Sequence, residues 1–193
     1  CHSQLDNCNC IAMKLTIERA ALLRSLGHVQ SVVERRTTIP ILSNVKLEAA
    51  DGRLNLSATD MDLDIVGSVE AEVANPGALT APALTLYEII RRLPDGSQVE
   101  IDSDGMDGQL ALRSGRSNFT LACLPVEDFP AIDGANLPHA FKLSAGDLRV
   151  LIDRTQFAIS TEETRYYLNG IYLHPAERDG VDVMRAVATD GHR

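Results

Sequence analysis

Asp60, Asp62 and Asp64 stand at alternate positions, the spacing that points three carboxylates to one side of a β-strand. Carboxylates so placed can hold two divalent cations and activate water for phosphoester hydrolysis. Met61, Leu63 and Ile65 lie between them. An amphipathic strand with a solvated acidic face and an apolar face has the same pattern without chemistry, and the alternation predicts that plainer role.

Other residue sets invite the same scrutiny. Asp102-Ser103-Asp104-Gly105-Met106-Asp107-Gly108 begins like a calcium loop, but it lacks the regular ligand positions and closing Glu of an EF-hand. An acidic hairpin turn is the expectation there. Cys123 and His192 could act as nucleophile and base, yet no third group orients them and nothing supplies an oxyanion hole. Cys123 alternates with Phe119 and Leu121, which predicts a buried structural thiol. His2, Cys8 and Cys10 match no zinc-module spacing. No P-loop, dinucleotide fingerprint or zinc ribbon occurs. The residues therefore give no enzyme, no metal site and no cofactor.

Arginines on predicted helices are the remaining candidates: Arg19 and Arg24 on the first, Arg91 and Arg92 ending the second, Arg149 and Arg154 on the third. Either they form one locally basic face, or they are solvated helix surface with compensating acids. The residues alone leave both open.

The elements that would position these groups are readable from periodicity. Thr16 is expected to cap a helix through about Val33, with Ala20, Leu23, Leu26 and Val29 on helical spacing. Strand patterns over Ile41–Ala49 and Arg53–Thr59 flank Asp51-Gly52, a hairpin signal. Alternation from Met61 to Val73 predicts one long strand. A helix is expected from Pro82 to Leu93, ended by Pro94-Asp95-Gly96. Strands follow over 99–102, 108–114 and 117–124. Ser144 and Asp147 suggest a capped helix through Phe157. Two helices with many antiparallel strands make an α+β fold.

The chain of 193 residues is 45% hydrophobic and 23% charged, ordinary for a globular protein. Aromatics are only 4% and Trp is absent, so the core must come from Leu, Ile, Val and Ala. A net charge of −9 argues against affinity built on neutralised phosphates, though not against a partner held by means other than charge. No apolar run reaches the roughly 18 residues that span a bilayer. Three of the four cysteines lie in the first ten residues, no disulfide framework, so a reducing cytoplasm is expected. Residues 1–12 are polar and unpatterned, an extension outside the fold.

The chain also repeats itself. Lys14-Leu15-Thr16 recurs as Lys142-Leu143-Ser144, an offset of 128. Leu42-Ser43-Asn44-Val45-Lys46-Leu47 faces Leu168-Asn169-Gly170-Ile171-Tyr172-Leu173 at 126, and Ala58-Thr59-Asp60 recurs as Ala188-Thr189-Asp190 at 130. Ordered anchors with so little drift predict a duplicated domain. The expected division is domain I over 13–135 and domain II over 138–193, the second interrupted by the end of the chain.

Several segments resemble one family. Met13-Lys14-Leu15-Thr16-Ile17-Glu18-Arg19, Arg36-Thr37-Thr38-Ile39-Pro40-Ile41-Leu42-Ser43-Asn44, Arg113-Ser114-Gly115-Arg116-Ser117, Leu124-Pro125-Val126-Glu127-Asp128-Phe129-Pro130, Arg165-Tyr166-Tyr167-Leu168-Asn169-Gly170 and Ala188-Thr189-Asp190-Gly191-His192-Arg193 are similar to the bacterial replicative sliding clamps, the beta subunits of DNA polymerase III. The ordered set spans 13–193. The resemblance implies a clamp fold of repeated domains, each with two helices on antiparallel sheets. It further implies a homodimeric ring around double-stranded DNA that tethers the polymerase without catalysis, without a cofactor and without a membrane.

By the same resemblance, Arg36, Tyr166 and Tyr167 would touch DNA, and Arg19, Arg24, Arg91, Arg92, Arg149 and Arg154 would face its phosphates. Glu162 stands where some members carry Gln, and a carboxylate there repels phosphate. Arg165, Leu168, Thr189, Gly191, His192 and Arg193 would form a cleft for short peptides of the polymerase catalytic subunit, clamp loader and other partners. Arg116, Phe119 and Leu121 would meet the other subunit at an edge strand, with Gln109 and Asn118 standing where some members are basic. This chain alone is expected to bind such peptides weakly and not to close a ring. A metal-dependent hydrolase using Asp60, Asp62 and Asp64, or a standalone interaction module, is the competing expectation.

Overall fold

The computed structural model describes residues 12–33, 38–103, 108–130 and 142–193. The chain divides into two compact units, Cys1–Asp133 and Gly134–Arg193. The fold is α+β, and every strand pairing is antiparallel.

Unit 1 starts with strand β1 (Met13–Glu18), whose Met13, Leu15 and Ile17 are buried while Lys14 and Glu18 are exposed. Thr16 therefore lies inside a strand and caps nothing, which corrects the expected helix start. β1 runs between two partner strands, and satisfying a ladder on both sides outweighs the weak helical periodicity of its residues. Helix α1 (Arg19–Val29) follows directly and buries Leu22, Leu26 and Val29, the i, i+4, i+7 stripe of an amphipathic helix. Its N-cap Glu18 makes no side-chain cap bond.

Strands β2 (Asn44–Ala50) and β3 (Arg53–Thr59) form the expected hairpin. Asp51 and Gly52 both take positive φ, 50° and 72°, the mirror-image turn that matches strand twist. The predicted long strand after Asp60 is instead two strands in two sheets. β4 (Asp64–Glu70) pairs with β3, and β5 (Glu72–Asn75) pairs with β1. The switch falls at Ala71, whose N–H donates to the Gly52 carbonyl at 3.0 Å. Period-two alternation continues through such a switch because it records burial, not which sheet does the burying.

Strand β6 (Gly77–Pro82), which periodicity did not mark, closes the four-stranded sheet β4-β3-β2-β6. Helix α2 (Ala83–Arg92) buries Ala83, Leu86 and Ile90 and packs against α1. β7 (Gln98–Ser103), β8 (Gln109–Ser114) and β9 (Ser117–Ala122) complete the five-stranded sheet β5-β1-β7-β8-β9. One continuous apolar core, largely Leu, Ile, Val and Ala, joins both sheets to both helices. Truncating a fully buried member such as Leu26 to Ala costs on the order of 2–5 kcal/mol.

Unit 2 begins with helix α3 (Ala145–Thr155). The Ser144 hydroxyl accepts the Asp147 N–H at 3.0 Å and donates to the Asp147 carboxylate at 2.6 Å, so the expected cap forms. Lys142 and Leu143 are not in a strand, and Phe141 lies outside the described residues. A 3-10 turn (Gln156–Ala158), a second 3-10 segment (Glu163–Leu168) and the hairpin β10 (Tyr172–Arg178) and β11 (Val181–Val187) follow. Among the described residues of this unit only Ala158 and Ser160 are buried.

The duplication is visible in detail. Asp179 and Gly180 repeat the positive φ of Asp51 and Gly52, at 54° and 78°, and β10–β11 repeats the register of β2–β3. Among the described residues no helix is long and apolar enough to cross a membrane.

Candidate nucleic-acid interface and peptide cleft

The Thr-Asp sequence builds the same turn in each unit. In unit 1 the Thr59 hydroxyl accepts the Met61 N–H at 3.0 Å, and one Asp60 carboxylate oxygen accepts the N–H groups of Asp62 and Leu63 at 3.0 and 2.8 Å. In unit 2 the Thr189 hydroxyl accepts the Gly191 N–H at 3.0 Å, and Asp190 accepts those of His192 and Arg193 at 2.9 and 3.1 Å. Side chains that satisfy nearby backbone donors compete with a strand ladder. Residues 60–63 are therefore a turn, and Asp60, Asp62 and Asp64 do not line one strand face. The Leu63 and Asp62 N–H groups hold the Asp60 carboxyl below the usual carboxylate range. The His192 N–H, with Arg193, does the same for Asp190. Among the described residues no group of three His, Cys, Asp or Glu could hold a metal ion.

The unit 2 turn gathers most of the expected cleft. Gly191 has φ +88°, and a Cβ there would lie 3.0 Å from Arg165 Nη1. Arg165 also pairs with Glu162 at 3.2 Å. The Thr189 hydroxyl donates to the Arg193 carbonyl at 2.6 Å. Arg193 pairs with Asp190 at 2.9 Å and sits 5.8 Å from the centroid of the exposed Phe157 ring. Half-buried Leu168 accepts the Ser160 N–H on its carbonyl at 3.0 Å. Phe157 and Asp190 also stand at this turn and were not named for the cleft, and Glu162, weighed only for its effect on phosphate, pairs with Arg165 here. Only Asp190 carried a signal, its place in the repeated Ala-Thr-Asp.

The arginines fare unequally. Arg19 is 12% exposed at its side chain. It donates to the Ile90 carbonyl at 3.1 Å and the Arg91 carbonyl at 2.7 Å, and it pairs with Asp95. It thus holds the C-terminal end of α2, and its guanidinium is not a free phosphate ligand. Arg91 and Arg92 share one acid, Glu88, at 3.1 and 3.5 Å, and Arg149 pairs with Asp153 at 3.5 Å. Exposed pairs of this kind contribute about 1 kcal/mol or less, so a phosphate can compete for those arginines. Arg24 and Arg154 are exposed and have no ion-pair partner among the described residues. Arg36 lies outside the described residues.

Tyr166 and Tyr167 stand largely exposed on their 3-10 segment, rings edge to face at 5.8 Å between centroids. Among the described residues, the β9 edge of the five-stranded sheet is paired only to β8. Arg116, in the turn before it, is exposed, and Phe119 is partly so. Leu121 is only 7% exposed and belongs to the core, so of these three residues it offers the least surface of its own. Cys123 is half-buried, and that burial pushes its thiol up to about 11, a poor nucleophile at neutral pH.

Residues 13–133 match the family described as DNA polymerase III beta subunit, N-terminal domain. Residues 142–193 match the central domain of the same subunit. The beta sliding clamp of Caulobacter vibrioides is 56% identical over 181 residues, covering 94% of this chain and 49% of that protein. That of Escherichia coli K12 is 40% identical over 182 residues, covering 94% and 48%. Among solved structures, a DNA polymerase sliding clamp from Caulobacter crescentus aligns with a TM-score of 0.87 at 56% identity, covering 93% of this chain and 49% of that one. A sliding clamp from Bartonella birtlesii bound to griselimycin aligns at 0.83 and 49% identity, covering 94% and 48%. The chain spans about half the length of the curated relatives it matches.

Proposed function

The chain belongs to the DNA polymerase III beta subunit family, and on that premise we propose that it works as part of a DNA sliding clamp. In this reading a protein of the relatives' full length closes as a homodimeric ring on double-stranded DNA in the cytoplasm. It tethers the replicative polymerase and other proteins that carry clamp-binding peptides, and it catalyses nothing itself. The observation that carries the reading is the family match across both units, on a chain whose two units repeat one hairpin and one Thr-Asp turn. Domain I is assigned to 13–135 and domain II to 138–193, with 1–12 outside the fold.

Arg24, Arg91, Arg92, Arg149 and Arg154, with Arg36, Tyr166 and Tyr167, are the residues proposed to meet DNA. Their contacts position the duplex through phosphates and read no bases. Arg19 is left out because its donors are committed to α2. Arg165, Leu168, Thr189, Gly191, His192 and Arg193 are the proposed peptide cleft. The β9 edge with Arg116, Phe119 and Leu121 is the proposed meeting point with the other subunit.

The test is retention on DNA. The full-length protein, loaded by its clamp loader onto nicked circles, should stay bound through a salt wash and be lost when the circle is linearised. Equal retention on circles and linear DNA would overturn topological binding. A nuclease activity of the purified protein that disappears in Asp62→Asn would favour the metal-hydrolase alternative.

A further inference from the structure

The turn after β3 displays apolar side chains where a solvated loop would place polar ones. Met61 is 59% exposed, Leu63 52% and Val66 62%, crowded into six residues of one turn and the strand that leaves it. Scattered exposed apolar residues need no explanation, but a cluster on one surface element marks a contact. Met61 adds a second oddity: its φ is 81°. A residue with a Cβ pays roughly 1–2 kcal/mol to hold that conformation, and the matching turn of unit 2 has Gly191 at 88°. The Thr59 and Asp60 hydrogen bonds hold the backbone there, so the Met61 side chain is presented by a fixed turn.

The charged residues of the turn itself are all acids. Asp62 is exposed and Asp60 and Asp64 are half-buried. Among the described residues no cation lies in ion-pair range of any of the three.

We propose that Met61, Leu63 and Val66, with Asp62, form a docking surface for a short basic peptide that carries aliphatic side chains. The aliphatic groups cover the three apolar residues, and a lysine or arginine pairs with the exposed Asp62. Nucleic acid is the wrong partner for this turn, because its phosphates would meet the turn's own carboxylates. A second copy of this chain is disfavoured by a net charge of −9 on each. The surface lies wholly in unit 1 and does not depend on the clamp reading.

The test is fluorescence anisotropy on the 193-residue protein with a labelled short peptide alternating leucine and lysine, against the same peptide with glutamate for lysine. Saturable binding is expected for the basic peptide only. Leu63→Ser and Asp62→Lys should each weaken it about tenfold, the effect of losing one good interface anchor. Arg165→Ala, in unit 2, should leave it unchanged, so failure of the proposed cleft would not count here. Met61→Gly is the decisive variant: it should raise the melting temperature by relieving φ while weakening the peptide, opposite signs that a purely structural role cannot produce. Equal binding of both peptides, Leu63→Ser binding like the parent, or Met61→Gly binding like the parent would each overturn the proposal. So would self-association in sedimentation that Leu63→Ser abolishes, since that would make the surface a homotypic contact.

Discussion

Arg165 lies directly over Gly191: a side-chain carbon at Gly191 would begin 3.0 Å from Arg165 Nη1. Two segments more than twenty residues apart thus meet at a glycine whose φ of +88° disfavours any side chain. Gly191→Ala should strain the turn by about 1–2 kcal/mol through its positive φ alone. It should also push the guanidinium aside. In the full-length protein we expect binding of a clamp-binding peptide to fall about tenfold or more, measured by surface plasmon resonance, while retention on nicked circles persists. Unchanged peptide affinity would remove the turn from the cleft.

Arg19 staples the start of α1 to the end of α2 through Ile90, Arg91 and Asp95. Hydrogen bonds from a charged, part-buried donor contribute roughly 1.5–3 kcal/mol. Arg19→Ala should lower the urea-unfolding free energy of the 193-residue protein by about that amount. Arg19→Lys should recover only part of it, because one ammonium cannot reproduce the guanidinium fork. A loss under about 0.5 kcal/mol for Arg19→Ala would show that the staple is surface decoration.

The turn aspartates give a pH signature. The folded structure depresses the carboxyls of Asp60 and Asp190 through backbone N–H bonds. A depressed folded value means the stabilisation is present above the unfolded value and is lost as pH falls through the folded one. The window therefore opens near the ordinary aspartate range of about 4 and extends downward. Amide exchange at His192 and Leu63 should quicken between pH 5 and pH 3 beyond its intrinsic change. Asp190→Asn should abolish the pH-dependent part at His192 and leave Leu63 as it was.

Cys123 makes a chemical prediction. With its thiol pushed up to about 11 by burial, the thiolate fraction at pH 8 is on the order of a thousandth. Iodoacetamide at pH 8, read at the Cys123 peptide by mass spectrometry, should label the folded protein at least tenfold more slowly than the urea-unfolded one. Equal rates would mean that the β9 end is open.

Much was legible without coordinates. The Asp51-Gly52 hairpin, the Ser144 helix cap and the Ala-Thr-Asp repeat all stand where periodicity and turn chemistry put them. Thr16 was misplaced because Met13–Glu18 mixes strand alternation with residues a helix tolerates, and only its two strand neighbours decide between them. The run from Met61 to Val73 broke for a related reason. Thr59 and Asp60 capture the next three N–H groups, and Ala71 hands its own to Gly52.

By itself, then, the sequence determined what short-range forces control: hairpin turns that need positive φ, a hydroxyl that caps a helix three residues on, and a plan written twice. Tertiary structure alone decided that Arg19 serves α2 instead of standing free, since its acceptors lie some 71 residues away. It also decided that Leu121 faces the core, and that Gly191 and Arg165 share one surface. The physical reason is range. A turn's hydrogen bonds close among neighbours whose identities are adjacent in the chain. The partner of a long charged side chain is whatever acceptor the packed core brings within about 3 Å, and no local pattern encodes that.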